Sequence, residues 1–582
     1  MKKNILFKAL SLTLISSLTI ALFSGCSEKE GKQKYKEEIT IDVFDSLANY
    51  QGIQAGWFGK AVEERFNLKL NIIAPNVAGG GSTMFDTRCA AGNLGDLIIC
   101  SGDANTLSHL AESGLIIDMS SYLEDKDILK KYNTAIKGLN KIFDGNSIYA
   151  IPSEISTGTS VTPSETLEPV YGPYIRWDLY KELGYPEMET LEDLLYVLKD
   201  MQELNPVSDS GEKVYAFSFF GDWDGNLVNC VKQPCCFYGY DEVGFVLAKA
   251  DGSDYQSIID SDSIYVRVLR FFNKAYQMGL VDPESFTQDL SSVSDKVKDG
   301  AVLFYFWPWL SQTLYNTEEK MNEGKGYMFA PINDLEVLSY GCNIYGSQQS
   351  VICIGSHAKD IDRLVDFVDW LYSDEGIFLN NAQASQAAAG EEGFTWEMTK
   401  EGPKLTEFGK KCFIDMYAEI PEEKGGGTWE DGVSALNYKP VSNSELASNG
   451  YPYTYTLWDS YLETKTTKLD SDWQSFTGYD STMEYLEKTG HLIVAPGCQY
   501  VSPEQTSDIS TIRAQCSSVI NKYCWEMIYA ENDESFNSLL KEMQDTLSYL
   551  DYDTVLAYDK KCALSQDMAR KNSAAETAVY EN

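Results

Sequence analysis

Residues 303–313, LFYFWPWLSQT, set Trp307 and Trp309 on either side of Pro308. Tryptophan offers a broad flat apolar face. A sugar ring presents a face of C–H groups that stacks on such a surface, while its hydroxyls seek Asp, Asn, Arg or backbone groups at the edge. Other residues carry matching chemistry. Ser101 and Asp103 in SGD follow a short apolar strand, where α/β folds place ligand loops. Asp222 and Trp223 sit in FFGDWDGN, a loop that combines acid and indole. Arg176, in the run IRWD, either points at a cleft or pairs with Asp178. Trp396 in GFTWE and Tyr50 after the first strand complete the candidate ligand-binding set. Each has a plainer account. An all-aromatic run also fits a buried core, SGD also fits an ordinary turn, and a solvated loop explains FFGDWDGN.

A second chemistry belongs to Cys26. Lys2, Lys3 and Lys8 precede or interrupt an apolar run from Ile5 to Phe23, and Ser24-Gly25-Cys26 ends it. A basic start, an apolar middle and small residues at the end make an export signal. A cysteine directly after the small residues resembles the lipobox of bacterial lipoproteins, whose cysteine is acylated and becomes the new N-terminus. The leucine usual three places before it is Phe23 here, with Leu22 one place earlier. The alternative, a membrane-spanning helix, needs about 20 apolar residues and leaves the Ser/Gly/Cys ending without a purpose. Residues 27–38 are rich in Lys and Glu and lack periodicity, so they read as a flexible tether.

Composition removes several function classes. The chain has 582 residues, too many for one core, and 43% of them are hydrophobic, so it folds into two or more lobes. Its formal net charge of −40 repels nucleic acid and anionic lipid and favours a neutral ligand over a polyanion. Three histidines and thirteen scattered cysteines match no zinc spacing, and no Gly-rich loop with Lys-Ser/Thr is present to hold nucleotide phosphates. No cofactor is expected. Export permits disulfides, but the sequence does not pair the cysteines, and buried free thiols fit equally well.

The elements that must position these residues alternate. ITIDVF (39–44), LKLNIIAP and GDLIIC (95–100) read as strands; WFGKAVEERFN and ANTLSHLAESG read as helices, the second stopped by Gly114. TLEDLLYVLKDMQEL opens on Thr190 as N-cap with Asp193 in the capping-box place and puts Leu191, Leu194, Leu195 and Leu198 on one face. DIDRLVDFVDWLYS repeats the pattern, and residues 509–560 are strongly helical. Residues 421–480 are rich in Gly, Tyr and Ser and show no clear period. Strand–helix alternation argues for α/β layers.

Several of these segments, in order, resemble extracellular solute-binding proteins of bacterial ABC importers, in the large group that includes sugar binders. GDLIICSGDANTLSHLAESGLIIDMSSYLED is similar to the family's strand and ligand-side loop. NSIYAIPSE is similar to its Y-x-I-P segment, and PYIRWDLYKELGYPEMETLEDLLYVLKDM to its I-R-x-D-x-x-x-x-L-G run before a Thr-capped helix. FVDWLYSDEGIFLNNAQ and GEEGFTWEMTKEGPKLTEFG match late landmarks. Pro308 and Trp309 match the Pro-Trp of the N-G-P-W-A-W segment, with Phe306-Trp307 in place of Asn-Gly. The resemblance implies two α/β lobes of the periplasmic-binding-protein type (type II), joined by crossing segments with ligand held between them. It implies this division: signal 1–25, tether 26–38, first lobe 39–158, second lobe 159–340, a return to the first lobe at 341–395, and the second lobe again from 396 to 582. It also implies a lipid-anchored receptor on the outer face of the cell membrane, without enzymatic activity, that passes a carbohydrate to membrane permease subunits. Some relatives carry a calcium loop after the Thr-capped helix. The place holds NPVSDSGEKVYAF, where Asp209 and Glu212 fall short of the six or more oxygens that calcium takes, so no metal is expected. The rival functions are a surface glycoside hydrolase, which needs two carboxylates at a set separation, and a binder of a non-sugar nutrient.

Overall fold

Three buried strands carry hydrophobic residues on both faces, and that pattern dictates a sheet covered on both sides. Along β1 (Ile39–Asp45), Ile41 and Val43 enter one core while Phe44 enters another. With β2 (Gly52–Ile53), β3 (Leu68–Ile73), β4 (Leu97–Cys100), β5 (Ile151–Ser153) and β6 (Ser347–Ile354) it forms a six-stranded sheet in the order β2-β3-β1-β4-β6-β5. β1 runs parallel to β3 and β4, while β6 returns antiparallel to β4 and β5. On β4 and β6 the period of two sorts Leu97, Ile99, Ile352 and Ile354 to one face and Ile98, Cys100, Val351 and Cys353 to the other. Helix Gly56–Phe66 covers the first face with Trp57, Phe58, Val62 and Phe66; helix Ala104–Glu112 covers the second with Leu107 and Leu110. The computed structural model describes residues 34–78, 81–143, 147–383, 387–414, 418–464, 467–500, 502–503 and 505–580. Cys26, the signal and most of the tether lie outside them.

The second lobe is built around strand Tyr174–Arg176, paired antiparallel with Phe304–Tyr305 and Tyr327–Phe329. Val337–Tyr340 pairs in parallel with Leu492–Ala495. Helices Asp193–Leu204 and Ile264–Gln277 pack on this core, and so does the C-terminal array Ser507–Ile528, Asp533–Tyr549 and Tyr552–Tyr580. The capping box before Asp193 works in one direction: the Asp193 carboxylate accepts from the Thr190 amide (2.9 Å) and hydroxyl (3.0 Å).

One expected boundary is corrected. Residues from 396 to 458, assigned above to the second lobe, belong to the core of the first. Trp396, Leu405, Trp429, Leu436, Tyr438, Tyr453 and Trp458 are all buried there with β1 and helix Gly56–Phe66. The physical reason is aromatic docking. Trp57 stacks on Trp429 at 4.4 Å with an interplanar angle of 11°, and its indole donates to the Trp429 carbonyl. The chain therefore leaves the first core for the last time between Trp458 and Leu469, which is buried in the second.

The crossings at 160–164 and 340–342 run side by side in a ribbon with residues 495–497. Cys342 N–H donates to the Thr162 carbonyl, Ser164 N–H to Tyr340, Gly341 N–H to Ala495 and Gly497 N–H to Ser160, each at 2.8 Å. The packing is too close for any side chain at two positions. A Cβ on Gly341 would lie 1.9 Å from the Ser160 carbonyl oxygen, and one on Gly497 would lie 2.0 Å from that of Cys342.

Candidate functional site: the cleft between the lobes

A cleft of about 620 Å³ opens between the two cores, next to the crossing ribbon. Both lobes and the first crossing line it. The second lobe supplies Trp309, Gln312 and Asn316; the first supplies Gln349, Gln383, Trp429, Asn437 and Tyr455; the crossing supplies Glu165 and Glu168.

Trp309 is the one expected ligand-binding residue that reaches this lining. The segment after strand Phe304–Tyr305 turns at Pro308, and the Trp307 carbonyl accepts from both the amide (3.1 Å) and the hydroxyl (2.7 Å) of Ser311. That turn stacks Trp307 behind Trp309, with ring centroids 5.3 Å apart at 23°. Trp307 is 5% exposed and sits in the second core, so its expected ligand role is corrected to a support. Trp223 lies tilted beside the pair, 5.7 Å from Trp307 and 6.0 Å from Trp309. It packs beside the platform and is absent from the cleft lining.

The remaining candidates are placed elsewhere. Asp103 is the N-cap of helix Ala104–Glu112; its carboxylate accepts from the amide of Thr106 (2.9 Å) and from its hydroxyl (2.6 Å). Ser101 accepts from the Asp103 amide in the same turn. The Asp222 carboxylate accepts from the Leu290 amide. Arg176 is buried and doubly bonded to Asp178, at 3.0 and 2.8 Å. Trp396 is 3% exposed, donates to the Gly390 carbonyl and packs on Phe378 in the first core. Tyr50 is exposed and donates to the Ile53 carbonyl. None of these six lines the cleft.

Other residues at the cleft carry no local sequence signal, because topology brings them there. Glu165 and Glu168 lie in TPSETLEPV, which reads as a loop; it is the crossing itself. Glu165 accepts from the Ser339 hydroxyl and the Tyr340 amide, and burial pushes its carboxyl above the usual range. Glu168 accepts from the Tyr174 hydroxyl at 3.0 Å. Trp429 and Tyr455 come from the stretch without a clear period. Asp45 acts from beneath. It is fully buried at the end of β1 and accepts from the amides of Asn437 (2.8 Å) and Leu47 (3.2 Å), both of which line the cleft. Burial pushes its carboxyl up to about 7. A carboxylate at the C-terminal end of a central strand was the one available signal, since α/β ligand loops gather there.

The loop in the calcium-loop place does not fit a calcium ion. Asp209 is bound to Lys320 at 2.9 Å, and the Asp299 carboxylate beside it accepts from the hydroxyls of Ser208 and Ser210. A lysine ammonium thus already answers the acid that a metal would need. Among the described residues no group of three or more His, Cys, Asp or Glu side chains is placed to hold a metal, and no helix is long and apolar enough to cross a membrane.

The family model for bacterial extracellular solute-binding proteins matches residues 55–377. No curated protein matches the chain by sequence. Among solved structures, an EF-hand mutant of the S. pneumoniae ABC-transporter substrate-binding protein FusA, in complex with fructo-nystose, superposes with a TM-score of 0.58 at 16% identity. That match covers 90% of this chain and 99% of the other. The alginate-binding protein AlgQ2 without calcium ion gives 0.59 at 14% identity, covering 91% and 98%. An extracellular solute-binding protein from Bifidobacterium longum subsp. infantis gives 0.53 at 14%, covering 91% and 99%. At these identities the structures establish a shared fold, and the family match extends over more than half of the 582 residues. The chain belongs to the bacterial extracellular solute-binding proteins.

Proposed function

We propose that this protein is the lipid-anchored receptor of an ABC importer, that it captures an oligosaccharide between its lobes, and that it delivers it to a membrane permease. The observation that carries the proposal is the make-up of the cleft: the partly exposed indole face of Trp309, faced by a wall behind which Trp429 and Tyr455 are buried, interspersed with neutral amides at Gln312, Asn316, Gln349, Gln383 and Asn437. Stacking faces with amide donors and acceptors at their edges suit a polyhydroxylated ring. A cavity of about 620 Å³ lies within the usual range of small-molecule sites and has room for more than one sugar unit. FusA, of the same fold, is described in complex with fructo-nystose and with kestose.

The mechanism is differential binding. A ligand that touches Trp309 on one side and the first-lobe residues on the other gains its full contacts only when the lobes are close. Its affinity difference between open and closed forms shifts the population toward closure. The permease then recognises the closed outline. No bond of the ligand is made or broken.

Titration calorimetry against a panel of oligosaccharides tests this. The expected result is saturable binding, with the sugar recovered intact and a smaller radius of gyration in solution scattering at saturation. Shortened sugar would establish a hydrolase instead, and an unchanged scattering profile would remove the closure mechanism. The anchor is tested at Cys26. Wild type should take up an alkyne fatty acid and partition into detergent, and Cys26→Ser should do neither; equal labelling of both would end that part of the proposal.

A further inference from the structure

Residues 434–439 belong to no helix or strand, yet Asn437 and Lys439 among them line the cleft. Buried side chains of the first lobe hold this stretch where a strand ladder would otherwise do so. Gln54 donates to the Val433 carbonyl (2.9 Å) and accepts from the Ala435 amide (2.6 Å), and Asn380 donates to the Tyr438 carbonyl (2.7 Å). Asp45 is the ionisable member of the set. Its oxygens take separate amides, Oδ2 that of Asn437 and Oδ1 that of Leu47. Asn437 closes the ring: its side-chain Nδ2 donates to the Leu47 carbonyl at 2.7 Å. One buried carboxylate thus clips two segments of the cleft edge together and fixes the rotation of the Asn437 amide. A carboxylate accepts at both oxygens, whereas a carboxylic acid carries a proton on one of them and turns it toward an N–H as a donor. Among the described residues no cation bonds Asp45. The ionisable group that faces it from β4 is the buried Cys100 thiol, held uncharged by its surroundings. Lys439, two places beyond Asn437, lies 3.9 Å from the Glu154 carboxylate.

We propose that Asp45 is a positioning residue of the ligand site: its carboxylate sets the Leu47–Asn437 edge of the cleft, and its protonation releases that edge and weakens binding. The inference rests on the glycan reading of the cleft and adds a proton to the control of its affinity. Burial places the Asp45 titration at about 7, between the pH values of ordinary media. None of the three histidines lines the cleft to compete for that role.

The test is calorimetric titration of the full mature protein at pH 8 and pH 6 with kestose, maltotetraose and the other neutral members of the oligosaccharide panel. Neutral sugars do not titrate in this range, so any change belongs to the protein. About nine-tenths of a carboxyl titrating at about 7 is ionised at pH 8 and about one-tenth at pH 6, so wild type should bind about tenfold more weakly at pH 6. Stability should move the other way. A buried acid with a raised value takes up its proton in the folded protein before the unfolded chain does, so its share of the stability rises as the pH falls from 8 to 6. Asp45→Asn should copy the acid form, with weak binding that differs by less than about twofold between the two pH values and unfolding at pH 8 no earlier than wild type. Glu165→Gln removes the other raised carboxyl of the lining and should keep the wild-type slope, whatever its own affinity. A wild-type affinity that is flat from pH 8 to pH 6 overturns the inference. So does a slope that survives in Asp45→Asn or disappears in Glu165→Gln. Binding of no member of the panel at either pH overturns the glycan reading, and the inference with it.

Discussion

Trp309→Ala should bind oligosaccharide about ten- to a hundredfold more weakly, a loss on the order of 1–3 kcal/mol, while the free protein unfolds close to where wild type does. The indole is only partly covered in the free protein and lines the cleft, so its removal costs little packing and most of one stacking contact. Trp307→Ala should behave in the opposite way. Trp307 is 5% exposed and sits against Phe306 at 4.5 Å and Trp309 at 5.3 Å. Its truncation leaves a cavity in the second core worth about 3–5 kcal/mol of stability. Its effect on affinity would be indirect, through loss of the surface on which Trp309 rests. Calorimetric titration and denaturant unfolding of both variants separate the two roles. Normal binding by Trp309→Ala would place the stacking surface elsewhere in the cleft.

That contrast shows what the sequence made legible. Trp307 and Trp309 are two residues apart in one aromatic run, and composition alone does not tell platform from support. The turn at Pro308 decides it, through the hydrogen bonds that fold Ser311 back onto the Trp307 carbonyl. The strands were legible because burial on both faces leaves runs such as Leu97-Ile98-Ile99-Cys100 without polar interruption. Helix Ala104–Glu112 was legible from its end at Gly114; Asp103, read as a ligand candidate, is instead its N-cap, with its carboxylate committed to Thr106. The segment from 396 to 458 was misplaced because its contacts are long-range aromatic ones, such as Trp57 on Trp429, which leave no local period. Glu165 and Glu168 were invisible for a related reason. A crossing between lobes looks like any loop rich in Pro, Ser and Thr, and its importance comes from what the rest of the chain wraps around it.

Arg176 carries the second large expected effect, and it separates a structural from a ligand-binding role. The guanidinium ends the central strand of the second lobe, where Arg176 N–H donates to the Leu303 carbonyl. It grips Asp178 with two parallel bonds and lies over the Tyr315 ring at 4.4 Å. Asp178 in turn accepts from the Gly326 amide, so the pair ties strand Tyr174–Arg176 to the neighbouring strand Tyr327–Phe329. With side chains only 6% and 16% exposed, the two charges depend on each other more than on water. Arg176→Met keeps much of the apolar stem but strands the Asp178 carboxylate. Breaking a buried pair from one side costs about 3–5 kcal/mol, whereas replacing both partners by apolar residues is often neutral. Arg176→Met should therefore lower the unfolding free energy by that amount, and Arg176→Met with Asp178→Leu should recover most of it. Arg176→Lys should recover little, because a lysine ammonium cannot reproduce the two-pronged grip or the stacking on Tyr315. Oligosaccharide affinity of the folded fraction should stay within about twofold of wild type, since neither residue lines the cleft. Urea unfolding and calorimetric titration on the same samples give both quantities. A variant that unfolds normally but loses affinity would return Arg176 to the ligand site and show that the cleft reaches past the ion pair in the bound form.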